Sequence, residues 1–218
     1  SPELFALEQR HFFGNTWNFA AHASQLPNPG DFVTVDIAGQ SLLIARHTDG
    51  SIRAFHNRCA HKGAKLFTEP AGNTGKFFRC PYHAWTYKLD GRPLAMPMKG
   101  GYEGTALADS ESGRGLEPVA HLAVHREFVF VKLNAGGIGF EAYCGDLLRA
   151  LDFLIDRSPT GKLVVAGGVL RSLVQCNWKM YLENINDTVH PISTHESASA
   201  TAAKLWSGQP ADAPKPMA

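Results

Sequence analysis

Four residues carry chemistry that the rest of the chain must serve. Cys59 and His61 form a Cys-x-His group, and after an interval of eighteen residues Cys80 and His83 form a Cys-x2-His group. Two thiolates and two imidazoles, one of each from either group, make the donor set of a mixed-ligand [2Fe–2S] cluster with both Cys on one iron and both His on the other. A structural zinc can also take two Cys and two His, but such sites usually pair Cys with Cys and His with His along the chain. A Cys59–Cys80 disulfide would suit an oxidising compartment. The chain, however, has four cysteines in 218 residues, and its first residues do not read as an apolar signal segment. The cluster is therefore the expectation. Neutral imidazoles in place of two thiolates leave it less negative and lift its reduction potential to roughly −150 to +300 mV, against about −400 mV for an all-Cys plant-type centre. Ring nitrogens not bound to iron stay free to hydrogen-bond, so His61 and His83 should have further partners that tune the metal.

Residues 177–195 are the second informative stretch. They read as a helix from near Trp178 that ends in one Asp and two His. Asp187 and His190, three apart, would share a helical face, where the carboxylate could accept the free ring N–H of His190. His195 does not obviously join them, because five residues of regular helix turn it about 500°, or about 140° away from His190. Both imidazoles can meet one metal only if the helix is distorted. Pro191 supplies a cause, since it lacks an N–H and its ring clashes with the carbonyl of Asp187. On the residues alone, a metal pair and two surface histidines near a helix end are equally open.

Asn57-Arg58-Cys59-Ala60-His61-Lys62-Gly63 and the run Cys80-Pro81-Tyr82-His83-Ala84-Trp85-Thr86-Tyr87-Lys88-Leu89-Asp90-Gly91 resemble the two cluster loops of Rieske oxygenases of the ring-hydroxylating type. One departure is Lys62 where that family usually has Arg, which keeps a cation but loses the planar fork of donors. Asn177-Trp178-Lys179, Asn184 and the Asp187-x2-His190-x4-His195 spacing resemble the mononuclear-iron segment of the same family, at the expected distance after the first motif.

This resemblance implies an oxygenase α component with a Rieske cluster on Cys59, His61, Cys80 and His83 and a non-haem Fe(II) on His190 and His195. Asp187 would link the two metal centres, and Asn184 would lie near the iron. Electrons would come from NAD(P)H through a reductase, with or without a ferredoxin, and oxygen would enter an apolar, aromatic substrate. The resemblance further implies an α3 or α3β3 ring in which the cluster of one subunit serves the iron of the next, in the cytoplasm of a bacterium. The iron also needs a carboxylate to complete its facial triad. Only Glu196, beside a ligand, and Asp212, in a Pro/Ala stretch, follow His195. The third ligand is therefore expected outside this chain, and the chain is expected to be the N-terminal part of a longer α subunit. The alternative reading is a Rieske-type electron carrier that performs no oxygen chemistry.

The elements that must position these groups read as an α+β protein. Ser1 and Pro2 predict a helix start, with Leu4, Leu7 and Phe12 or Phe13 as its apolar stripe. Short strands are expected at 32–37, 41–45, 52–55, 76–79, 119–124 and 128–133, with turns at Asp49-Gly50 and Asp90-Gly91 and a surface loop over 99–115. This is a small antiparallel domain with its cofactor at loop tips. Strand patterning stops at 134–137. A helix is expected over 140–154, and strands of a second sheet over 163–166 and 169–176. The domains are expected at 1–15 for an N-terminal helix packing on the catalytic domain and at 16–136 for the cluster domain. Residues 137–218 would be the first part of a helix-grip-like catalytic domain, ending in a flexible tail over 209–218. Cys144 and Cys176 read as small buried hydrophobes. A net charge of +1 and ordinary apolar content give no sign of nucleic-acid binding or of a membrane span.

Overall fold

A computed structural model describes residues 1–105 and 114–208. Part of the expected loop at 99–115 and the whole tail, with Asp212, lie outside the described residues. The chain divides into two compact units, Ser1–Gly168 and Val169–Ala218. Helices are mixed with antiparallel sheets, as an α+β reading requires.

The first unit opens with α1 (Pro2–Leu7), capped by the Ser1 hydroxyl accepting from the Leu4 N–H at 3.2 Å, and continues as a π-helical turn over Glu8–Phe13. Ten strands follow among the described residues: β1 (Asn18–His22), β2 (Asp31–Ile37), β3 (Gln40–Arg46), β4 (Ile52–His56), β5 (Ala71–Asn73), β6 (Phe77–Arg79), β7 (Thr86–Lys88), β8 (Pro93–Ala95), β9 (His121–His125) and β10 (Phe128–Lys132). They form three antiparallel sheets, ordered β1-β10-β9, β4-β3-β2-β5 and β6-β7-β8. Strand β3 explains how the sheets stack. Its Leu42 and Ile44 enter a core with Val129 and Val131 of β10, while Leu43 and Ala45 enter a second core with Phe78, Tyr87 and the two cluster cysteines. A strand buried on both faces reads as an unbroken apolar run, and 42–45 is one.

The expected turns are present. Gly50 and Gly91 have φ of 84° and 86°. Gly91 is also needed for space, because a Cβ there would lie 2.5 Å from a ring carbon of Phe55. Four strands, β1, β5, β7 and β8, lie outside the sequence expectation; each is short and either begins polar or contains Gly or Pro, so pairing rather than propensity makes them strands.

Two expectations beyond residue 137 are corrected. The helix at 140–154 is two helices, α2 (Phe140–Cys144) and α3 (Asp146–Asp156), broken at Gly145, whose φ of 47° and ψ of −124° no helix can contain. The strands at 163–166 and 169–176 do not form. Among the described residues no strand pairs with them, and an apolar run without a ladder gains nothing from extension. Their side chains are open, Leu170 being 95% exposed. The second unit contains α4 (Trp178–Asn186), α5 (His190–Thr194) and α6 (Glu196–Trp206). Cys144 is buried as expected, whereas Cys176 is exposed. No helix among the described residues is long and apolar enough to cross a membrane.

Candidate metal centres

The two Cys/His groups occupy loops of one design. In the first, the Cys59 N–H donates to the Ala64 carbonyl at 2.8 Å and the Gly63 N–H to the Cys59 carbonyl at 2.9 Å. In the second, the Cys80 N–H donates to the Trp85 carbonyl at 2.8 Å and the Ala84 N–H to the Cys80 carbonyl at 3.1 Å. Position four after each cysteine is left-handed, with φ of 72° at Gly63 and 56° at Ala84. Each cysteine thus leads into a tight five-residue reversal that returns the chain beside it and presents the following histidine at the tip.

Each loop is anchored in the core. The second is the connection between β6 and β7, so the pairing of Phe77–Arg79 with Thr86–Lys88 fixes its ends. The first is closed by Asn57, which is buried. Its side-chain oxygen accepts from the N–H groups of Leu66 and Phe67 at 3.2 and 3.1 Å, and its amide donates to the Phe67 carbonyl at 2.7 Å. Removing that amide would leave two buried donors and an acceptor unsatisfied, each costing roughly 1–3 kcal/mol.

The loops bring all four residues together. Cys59 and Cys80 are buried free thiols, and the His61 and His83 rings meet edge to face with centroids 4.8 Å apart. His61 Nδ1 is buried with no hydrogen-bond partner. A buried polar atom is seldom left unmatched, and a buried imidazole nitrogen without a partner is one that a bound iron would satisfy. Burial, reinforced by the charges of His83 and Lys62, holds the His61 pKa below its ordinary value, so the ring is in the neutral form that ligates a metal. Burial pushes the Cys59 thiol up, against a hydrogen bond from Tyr87 that pulls it down. A bound metal would supply the positive charge that draws this proton off.

The surroundings distinguish the two imidazoles. His61 is stacked flat on Trp85, with centroids 4.8 Å apart and 4° between planes, and Tyr102 closes over both rings edge-on. His83 has the exposed Tyr82 beside it at 3.7 Å, in addition to His61. Tyr87, at no measurable exposure, accepts from the Ala60 N–H at 3.1 Å and lies 3.0 Å from Cys59 Sγ. With its oxygen already accepting, the hydroxyl proton is free to point at sulfur. Burial and the Cys59 thiol push the phenol pKa up, so it remains a donor. Tyr87 was in the sequence motif without a role, since nothing in a chain alone sets a tyrosine against a cysteine 28 residues away.

In the second unit the expected contacts form by a different route. Helix α4 starts at Asn177, whose side chain caps the Lys179 N–H at 3.0 Å, and it ends at Asn186. Asp187 is its extended C-cap, with ψ of 118°, and His190 begins a new helix, α5. Asp187 and His190 therefore do not share one helical face, as expected, but face each other across a break. Asp187 Oδ2 lies 3.2 Å from His190 Nδ1, and its other oxygen accepts from the Val189 N–H at 2.8 Å. Pro191 does not kink a continuing helix either. It occupies the first turn of α5, where its missing N–H costs nothing.

A second break at His195, with φ of −111°, separates α5 from α6. Together the breaks bring the His190 and His195 rings to 5.5 Å between centroids. With Nδ1–H donated to Asp187, His190 keeps the Nε2 lone pair available, and the Asn184 amide is 3.5 Å from it. Backbone hydrogen bonds from Val189 and His190 hold the Asp187 carboxyl below its usual range, so it is ionised. Among the described residues no group of three His, Cys, Asp or Glu side chains is arranged around a single ion. The first site offers two thiols and two imidazoles as candidate ligands, and the second offers two imidazoles.

Residues 16–108 match the family model of the Rieske [2Fe–2S] domain. The chain is 38% identical over 201 residues to the large subunit of anthranilate 1,2-dioxygenase from Acinetobacter baylyi, covering 92% of this chain and 42% of that protein. It is 34% identical over 202 residues to the α subunit of toluate 1,2-dioxygenase from Pseudomonas putida, covering 92% and 44%. The solved structure of naphthalene 1,2-dioxygenase from Rhodococcus bound to indole superposes with a TM-score of 0.82 at 33% identity, over 97% of this chain and 46% of that one. The chain spans less than half the length of these relatives.

Proposed function

This chain is homologous to the N-terminal part of the large subunits of Rieske ring-hydroxylating oxygenases, and on that footing we propose that it belongs to a terminal oxygenase that inserts oxygen from dioxygen into an apolar, aromatic substrate. When bound, a [2Fe–2S] cluster would supply one-electron exchange and a mononuclear Fe(II) would supply dioxygen activation. Cys59 and Cys80 would ligate one iron of the cluster, and His61 and His83 the other. Asn57 and the β6–β7 pairing hold those four in place, Trp85 and Tyr102 keep water from His61, and His83 is the imidazole left open to exchange. His190 and His195 would ligate the mononuclear iron. Accepting a hydrogen bond from Nδ1, Asp187 would orient His190 and leave Nε2 to hold the metal. The aromatic substrate class is supported by relatives named for anthranilate, toluate and naphthalene. A reductase, with or without a ferredoxin, an α3 or α3β3 assembly and a bacterial cytoplasmic location complete the reading.

The observation that favours an oxygenase over an electron carrier is the His190/His195 pair, with centroids 5.5 Å apart beside an ionised Asp187, for which a carrier has no use. Iron counting in the full-length protein tests it. Three irons per chain are expected, and His190→Ala or His195→Ala should remove one while the cluster spectrum is unchanged. Two irons in the wild-type protein would leave the electron carrier as the better reading.

A further inference from the structure

Charge is distributed very unevenly along this chain. Residues 57–88, which contain both cluster loops, carry six basic residues and one acidic one, whereas the whole chain has a net charge of +1, so the remainder is net negative. Arg58 is neutralised by an ion pair with Glu117, and the lone acid, Glu69, is folded back on the Thr68 N–H at 3.1 Å. Lys62, Lys65, Lys76, Arg79 and Lys88 are exposed, and no ion pair forms at any of them among the described residues.

The register of the β6–β7 hairpin gathers part of this charge on one face. Phe78 and Tyr87 point into the core, so Phe77, Arg79, Thr86 and Lys88 point outward, with Phe77 opposite Lys88 and Arg79 opposite Thr86. Phe77 is 41% exposed between the cations, an apolar centre with a charged rim, as protein interfaces are built. Arg79 also adjoins Cys80, so this outer face lies one residue from a buried ligand.

We propose that the outer face of the β6–β7 hairpin is the docking surface for an acidic one-electron carrier protein, which delivers its electron to the cluster past Arg79 and Cys80. The step is a single electron leaving the reduced carrier and converting one ferric iron of the cluster to ferrous, with no bond made or broken. This rests on the reading of the loops as cluster ligands. The carrier is acidic because unpaired like charges on one face repel, and a partner's carboxylates relieve that repulsion while steering the encounter.

The test uses an acidic plant-type ferredoxin and the basic protein cytochrome c as opposed probes on the cluster-loaded protein. Calorimetry should show the ferredoxin binding at low salt and releasing as salt rises. Stopped-flow reduction by reduced ferredoxin should slow with ionic strength, whereas oxidation of the reduced cluster by cytochrome c should speed up. Arg79→Glu with Lys88→Glu should cut the low-salt ferredoxin rate about tenfold or more while the cluster's spectrum is retained. Lys76→Glu with Lys88→Glu repeats the test with Arg79 intact. Rates that do not depend on salt, or the same sign with both probes, overturn the docking proposal while the cluster stands. A charge reversal that changes only the sedimenting mass assigns the face to a contact between copies instead. A protein that carries no cluster fails at the earlier reading.

Discussion

Around a metal ligand, single hydrogen bonds decide how readily an electron is held. The Tyr87 hydroxyl lies 3.0 Å from Cys59 Sγ, and a proton donated to a ligating sulfur withdraws charge from it, which favours the reduced, more negative cluster. Tyr87→Phe retains the buried ring and removes only the donor. The cluster should still assemble, with its reduction potential lowered on the order of tens of millivolts, the electrical equivalent of roughly 1 kcal/mol for one hydrogen bond. Spectroelectrochemical titration of both proteins checks this; an unchanged potential would mean the hydroxyl points elsewhere. At this scale the sequence marked the candidate ligands and hid their partners. Cys59, His61, Cys80 and His83 were legible because donor type and spacing are themselves the signal. The flat stack of His61 on Trp85 and the closing amide of Asn57 depend on where the chain returns in space, which no local pattern records.

Elements were legible where one physical cause acts over several residues. The apolar run 42–45 marked a strand, which the structure buries on both faces, and Asp49-Gly50 and Asp90-Gly91 marked turns by the backbone freedom of glycine. Reading failed where the cause was a break or a missing partner. Gly145 split a helix that hydropathy alone carries through, and the apolar residues 163–176 took no strand because the described chain offers nothing to pair with. At 187–195 the histidines were expected to meet through a kink at Pro191, and two helix breaks bring them together instead. The paired loops carry a prediction of the same kind. Gly63 adopts its left-handed conformation freely, but its counterpart Ala84, at φ 56°, bears a Cβ that clashes with the backbone there. Ala84→Gly should raise stability by about 0.5–1 kcal/mol, the relief of strain outweighing the entropy gained by the unfolded chain, with the cluster spectrum intact. Urea denaturation gives the answer; a loss of stability would show that the Ala84 methyl packs to advantage.

For the whole molecule, acid is the condition to which the fold is exposed. Burial lowers the pKa of His22, against a raising influence of Glu127, and lowers that of His56, against Glu117 and with Arg58. Both are therefore neutral in the folded chain at a pH where the unfolded chain, with an ordinary value of about 6.5, begins to bind protons. A lowered folded pKa means that this stability is full above about pH 6.5 and is lost as pH falls below it. The urea midpoint should fall between pH 7 and 5, where the lowered carboxylates Asp152 and Glu117 remain charged, and His22→Asn should flatten the fall. A midpoint constant over that range would remove these histidines from the account. Everything said of function rests on a mixed-ligand cluster held by two matched loops, and pulsed EPR of the reduced protein examines that claim at its ligands. The account predicts a signal of low average g-value coupled to two directly coordinated histidine nitrogens, one of them lost in His83→Cys. A reduced cluster with no coordinated nitrogen, or a colourless protein holding one zinc, would contradict it.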